Sequence, residues 1–302
     1  MISKDKITDI FCSIDDFCQV FEPALTKKLI SDGKKHRNRA FKMSKSEILT
    51  ITVLFHLSGH RTFKHFYIYY IQVHLKNEFP ETVSYNRFVE LMQSNMLPLV
   101  LYLKTCCLGE CTGISFVDST PLRVCKNKRI RANKVFEGIA TTGKSTMGWF
   151  FGFKLHIIVN DKGEILDFMI TQANVDDRTP LKSENFLKKI MGSIYGDKGY
   201  LSKELASILF DQGIHLITGI RNNMKNVLMT MRDKILLRKR SVIETINDQL
   251  KNISQAEHSR HRSFGNFITN LVASIIAYSF QEKKPRIKFE TNTQTSQIAL
   301  FY

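Results

Sequence analysis

The sequence predicts an α/β protein, a mixed sheet flanked by helices, preceded by an all-α N-terminal domain. Three observations predict it. Apolar residues recur at helical spacing through the first 112 residues. From "GISFVDST" onward, short β-rich runs alternate with helix-like segments. With 302 residues, 43% of them hydrophobic, the chain is long enough to bury a sizeable core.

Taken in order, Ile7, Ile10, Phe11, Ile14, Phe17 and Phe21 mark a first amphipathic helix. In "SKSEILTITVLFHL", Ser44 and Glu47 are spaced as a capping box, and an aromatic-rich helix follows in "RTFKHFYIYYIQVHL". His56 and His60 lie four apart, as helical metal ligands can, but no third ligand is evident and they read as packing residues. "VSYNRFVELMQ" offers Ser84 as a cap, with Tyr85, Asn86 and Arg87 on the first turn. A recognition helix reaches base edges from those positions, although a solvated helix start looks the same.

The second part reads as three strands, helix, strand, helix, strand, helix. The strands are "ISFVD", "WFFGFKLHIIVN", "EILDFMITQA", "SIYGD" and "IHLITGI". Asp161, Lys162 and Gly163 form the turn of a hairpin between the second and third. "DDRTPLKSENFLKKI" and "SKELASILFDQ" are helical, the latter stopped by Gly213. "FITNLVASIIAYSF" is too short and too polar to span a bilayer and reads as a buried helix. The expected divisions are a helical domain over 1–112, an α/β unit over 113–281 with a basic loop at 121–148, and a loosely held polar tail over 282–302.

Charge narrows the partner. Forty-four Lys and Arg against 28 Asp and Glu leave +16, the balance of a protein that meets a polyanion, nucleic acid first. The charged N-terminus lacks the apolar run of a signal peptide, so a cytoplasmic protein without membrane partners is expected. Six cysteines in this length are expected as free thiols; Cys106, Cys107 and Cys111 have no second pair to complete a zinc site. Trp149, the single tryptophan, is expected in the core.

Two aspartates end apolar strands, Asp118 in "ISFVD" and Asp197 in "SIYGD". If those strands are neighbours, both carboxylates emerge at one edge, where they repel unless a cation lies between them; hard divalent metals with oxygen ligands are the usual solution. Gly196 and Gly199 would leave room for close approach to Asp197. A third acid comes from "RKRSVIETINDQLKNI". At about 100° per residue, Arg240, Glu244 and Lys251 share one side of a helix, opposite Val242, Ile246, Leu250 and Ile253. Arg240 and Glu244 alone would also make an ordinary i,i+4 ion pair.

The set "VDST", "GFKLHIIVN", "NVDDR", "YGDKGY" and "RSVIETINDQLK" resembles, in order, the catalytic core of the DDE transposases of bacterial insertion sequences, most closely insertion sequence family 982. The resemblance covers about residues 113–281. It implies a ribonuclease-H-like fold, with Asp118, Asp197 and Glu244 as catalytic ligands of two Mg²⁺ or Mn²⁺ ions. It also implies double-stranded DNA as partner, both the element's terminal inverted repeats and a target, within a homodimer or larger assembly. Arg240 and Lys251 map to the basic residues flanking the last acid; a tyrosine common in related families is Leu237 here. Arg123, Lys126, Lys128, Arg129, Arg131 and Lys134 follow the first catalytic strand and are expected on phosphates. Lys154 and Lys198, with Arg240 and Lys251, are expected to offset phosphate charge in the site. A nuclease or resolvase of the same fold, and a DNA-binding derivative of a transposase, remain alternatives.

Overall fold

The computed structural model describes residues 2–31, 42–220, 224, 228–257 and 261–288. Every described element before residue 108 is helical: α1 (Lys4–Ser31), α2 (Lys45–Leu57), α3 (Phe63–His65) running into a π-helical stretch (Phe66–His74), α4 (Tyr85–Ser94), and α5 (Met96–Tyr102) with a π-turn to Cys107. The capping box forms: Glu47 N–H donates to Ser44 Oγ at 3.1 Å, and Ser44 N–H to Glu47 Oε2 at 2.7 Å. Ser84 precedes α4 in an extended conformation, but its side chain caps nothing. His56 is core, its Nδ1 2.6 Å from the Ser254 carbonyl.

Six strands form a mixed sheet: β1 (Ile114–Cys125), β2 (Thr141–Ser145), β3 (Gly148–Asn160), β4 (Ile165–Gln172), β5 (Gly192–Gly196) and β6 (Ile214–Thr218). The order is β2-β3-β1-β5-β6, and β4 shares with β2 the edge of β3 that faces away from β1. Pairing is antiparallel among β1 to β4 and parallel along β1-β5-β6, the latter through crossovers.

Several sequence expectations change here. Asp118 does not end its strand, because β1 continues for seven residues and pairs with β3 as far as Cys125. Pro121 is tolerated in it because the pairing with β5 stops at Phe116 and leaves that side an edge. The basic loop at 121–148 therefore contains the end of β1, a 3₁₀ turn (Asn127–Ala132) and the unforeseen β2. The helix expected from Asp176 to Ile190 shrinks to a 3₁₀ turn (Pro180–Lys182) and one turn of α6 (Glu184–Leu187), because Ser183 is extended between them. By contrast α7 (Lys203–Asp211) forms with Ser202 as its cap, and Gly213, at φ +76°, closes it in the left-handed conformation. The expected tail is not loose where described: Ile287 packs on the core and its N–H donates to the Asp161 carbonyl at 2.8 Å. Residues 289–302 of that tail lie outside the described residues.

The remaining helices are α8 (Met231–Lys239), α9 (Ser241–Asp248), which continues as a π-turn (Gln249–Ile253), and α10 (Phe264–Ser279). Alternation along β1 splits the core into two faces. Phe116 and Leu122 face a cluster built with α8, α9, α10 and the N-terminal helices, running unbroken from Ile7 to Tyr278. Val117 faces a smaller cluster with α6 and α7. Val242, Ile243, Ile246 and Leu250 are all buried on the first face, so they fix which side α9 turns toward the sheet. Ile246→Ala would cost about 2–5 kcal/mol. Ile253, expected on that stripe, is 54% exposed, because the π-turn lags the 100° advance of an α-helix.

Candidate active site

Strand register brings the first two acids together. Phe116 lies beside Tyr195 across the parallel β1–β5 pair, their rings stacked at 5.5 Å. Asp118 and Asp197 each stand two residues further on, so they are level and on the same face. The Asp197 carboxylate is exposed and caps the short turn Lys198–Tyr200, accepting from Gly199 N–H at 2.9 Å. A Cβ at Gly199 would stand 2.9 Å from Asp197 Oδ1, so this glycine makes room for the cap itself; the space at Gly196 is taken by the Tyr200 ring.

Asp118 is more enclosed, with 21% of its side chain exposed. Burial pushes its carboxyl up to about 6, and the charges of Asp197 and Glu244 push the same way against the pull of Arg240 and the Ser119 N–H. Three acids therefore share one electrostatic environment. Glu244 projects from α9 with 56% of its side chain exposed. Arg240 stands between two of them, its Nη2 2.6 Å from Glu244 Oε1 and its Nη1 3.8 Å from Asp118 Oδ1. Asn247, one turn beyond Glu244, donates from Nδ2 to Asp118 Oδ2 at 3.0 Å.

The other basic residues are distributed unevenly. Lys251 lies at the margin, partly buried, 3.5 Å from Glu257 Oε2; burial pulls its ammonium below the usual value. Glu257 also accepts the Arg123 backbone N–H at 3.0 Å, tying the end of β1 to the turn after α9. Lys198 is exposed beside Asp197, its stem against Gly219. Arg123, Lys126, Lys128, Arg129, Arg131 and Lys134 are all exposed, and of these only Lys134 has an ion pair among the described residues, with Glu137 at 3.3 Å. Lys154 is not brought to the site: it pairs in register with Pro121, on the opposite face from Asp118, and is held by Asp177 at 2.9 Å and the Val175 carbonyl at 2.8 Å. Trp149 is not core either. It starts β3 at the tip of the β2–β3 hairpin, is 61% exposed, and has Lys144 over its ring, because only its backbone pairs there.

Residues 108–264, just over half of the chain, match the family described as the Transposase DDE domain. The chain belongs to that family. No curated protein matches it. DDE transposase domains depend in general on divalent metals. Among the described residues of this one, no three His, Cys, Asp or Glu side chains are gathered closely enough to hold an ion. The donor chemistry nevertheless fits a hard cation. It consists of carboxylate oxygens crowded with like charge, beside a buried amide oxygen, Asn247 Oδ1, that has no hydrogen-bond partner among the described residues.

Sequence reasoning missed Asn247 and Glu257. The signal for Asn247 was present: it is a polar residue three positions after Glu244, on the side that also carries Ile243 and Ile246. Glu257 had none, since it follows a π-turn that no helical periodicity describes. All six cysteines are free. Among the described residues, no helix is long and apolar enough to cross a membrane.

Proposed function

We propose that this DDE-family chain is the transposase of an insertion sequence, most similar to insertion sequence family 982, which cuts DNA at the element's ends and joins the freed 3′-hydroxyl to target DNA. The observation that supports the reading is the register of Asp118 beside Asp197 across β1 and β5, with Arg240 bridging Asp118 to Glu244, although the three carboxylates are not gathered at ion-holding distance among the described residues. On this reading residues 113–281 are a ribonuclease-H-like catalytic domain, and residues 1–112 contribute to binding the element's ends.

Asp118, Asp197 and Glu244 would hold the divalent cations, Mg²⁺ or Mn²⁺. Such ions supply Lewis-acid activation of water and stabilisation of the leaving 3′-oxygen of a phosphodiester. The protein's own residues set the stage for that chemistry. Asn247 fixes the rotamer of Asp118. Arg240 restrains Glu244 and offsets part of the acid charge in the resting chain. Lys198, Lys251 and the exposed cations after β1 draw the phosphate backbone toward the acids; a homodimer or larger assembly would hold two ends at once.

The test uses purified chain, labelled duplexes carrying the terminal repeats, and a separate target duplex. Nicked ends and joined products are expected with Mg²⁺ or Mn²⁺, while Ca²⁺ supports binding without turnover. Robust cleavage in excess EDTA would overturn the metal assignment, and cleavage that never yields joined products would make the chain a nuclease of the same fold.

A further inference from the structure

A second basic surface lies at the far end of the sheet from the cations that follow β1. The β3–β4 turn and the segment after α10 together line an open groove of about 570 Å³ that carries Lys162, Lys283, Lys284, Arg286 and Lys288. Against these five cations stand two carboxylates, Glu164 and Glu282, leaving a surplus of three positive charges. Among the described residues none of the five has an ion-pair partner within 4.0 Å. Glu164 accepts from Asn160 Nδ2 at 2.7 Å, and its charge also acts on Lys284.

The groove is built rather than draped. Tyr278 Oη donates to the Gly163 carbonyl at 2.7 Å, which pins the turn to the last turn of α10. Gly163, at φ +79°, admits the segment: a Cβ there would stand 1.9 Å from the Pro285 carbonyl oxygen. Ile287 anchors on the core and on Asp161, and Lys284 Nζ donates to the Ser279 carbonyl at 2.7 Å. Burial lowers the Lys284 ammonium from its usual value; the Glu164 carboxylate opposes that shift and Lys6 adds to it.

We propose that this groove is a second binding surface for the phosphate backbone of duplex DNA, separate from the one beside the acids. Its lining is charged throughout, with no aromatic or aliphatic side chain to grip the body of a small ligand. Its charge surplus and open shape suit a continuous polyanion. The separation follows from β1, which starts beside the turn, where Thr112 Oγ1 donates to Asp161, and ends at the Lys126–Arg131 cations. Its twelve residues hold the two surfaces about 35 Å apart, several Debye lengths, so each acts independently.

The inference rests on the DNA-binding part of the proposed function and not on its chemistry. A random duplex of about 8 base pairs, about 27 Å long, is too short to bridge both surfaces. Titrated into the full chain in EDTA at about 0.1 M salt, where the Debye length is about 10 Å, it should bind twice per chain. Lys283→Gln, Arg286→Gln and Lys288→Gln together, all at exposed positions, should leave one binding event; Arg129→Gln with Arg131→Gln should remove the other. On a 40-base-pair duplex the triple variant should flatten the slope of log K against log salt by about 2 to 3 units. A triple variant that keeps both events and the wild-type slope overturns the surface, as does one that loses binding to anionic lipid vesicles but not to duplex. Wild-type chain that binds no duplex at all overturns this surface and the DNA-binding reading together, whereas wild type that binds but never cleaves touches only the chemistry.

Discussion

Asp176, in the turn after β4, is clasped by Arg178 through Nε at 2.8 Å and Nη2 at 2.6 Å, and that hydrogen bonding holds its carboxyl at about 2. Asp118, in the middle of β1, is pushed up to about 6 and shares its nearest cation, Arg240, with Glu244. Both are aspartates in the same α/β unit, within a few residues of a sheet. The difference lies in stoichiometry of charge. Asp176 has a guanidinium of its own two residues along the chain, and on the same side of the sheet as Lys154, Asp177 likewise has a dedicated partner. Around Asp118, four acids, Asp118, Asp197, Glu244 and Glu257, stand against three cations, Arg240, Lys198 and Lys251. Where each charge is matched, the carboxylate serves structure; where acids exceed cations, the folded chain retains a deficit that an added cation would relieve.

The largest expected contrast is catalytic. Asp118→Asn, Asp197→Asn and Glu244→Gln should each lower strand cleavage by several orders of magnitude while metal-free DNA binding holds steady or tightens slightly, since a carboxylate near phosphate repels it. Asp176→Asn should change cleavage by only a few fold. If that variant loses cleavage as completely as Asp118→Asn in well-folded protein, the charge-matching distinction fails.

Next in size is Asn247→Ala. It removes the hydrogen bond that orients Asp118, and metal-dependent activity should fall about 10- to 100-fold with DNA affinity in EDTA unchanged. Equal losses in cleavage and in metal-free binding would mark Asn247 as structural only.

A third prediction concerns acid. Burial holds His56, His156 and His261 at about 4, so between 6.5 and 4 the unfolded chain binds up to three protons that the folded chain refuses, and stability falls as pH drops through that window. Asp118 acts in the opposite sense: its raised carboxyl binds a proton in the folded chain first, and stability from it is lost as pH rises toward 6. The net is about two protons, a slope of about 2.7 kcal/mol per pH unit at most, measurable by denaturant titration from pH 4 to 6.5. A flat profile would show the histidines to be accessible.

The smallest effect is on resting stability. Without metal, Asp118→Asn should stabilise the chain by about 1–3 kcal/mol at pH 7.5, because the native carboxylate is ionised there against burial and like charge, and the gain should vanish below pH 4. Asp176→Asn should go the other way by under about 1 kcal/mol, as an exposed pair does. Thermal melts at both pH values in EDTA check the opposite signs.

Much of this arrangement was legible in residue order. The capping box at Ser44, the stop at Gly213, the hairpin turn at Asp161 to Gly163 and the apolar run of α10 are local signals, set by chain stereochemistry and by a few residues' hydrogen bonding. The residue order also singled out Asp118, Asp197 and Glu244 within an ordered set of motifs, although Asp118 lies inside β1 and does not end it. What the sequence could not determine depended on partners distant in the chain. Whether β1 stops at Asp118 or runs to Cys125 was decided by the length of β3, and Trp149 is exposed although Phe150 beside it in β3 is buried. Lys154 left the site through strand parity against β1, a matter of register and not of spacing. Asn247 meets Asp118 across 129 residues, and Glu257 meets Lys251 only because a π-turn breaks the helical repeat. Periodicity reports which side of an element is apolar; only tertiary packing decides which polar groups on two such elements face each other, because that depends on register and rotation that no single segment contains.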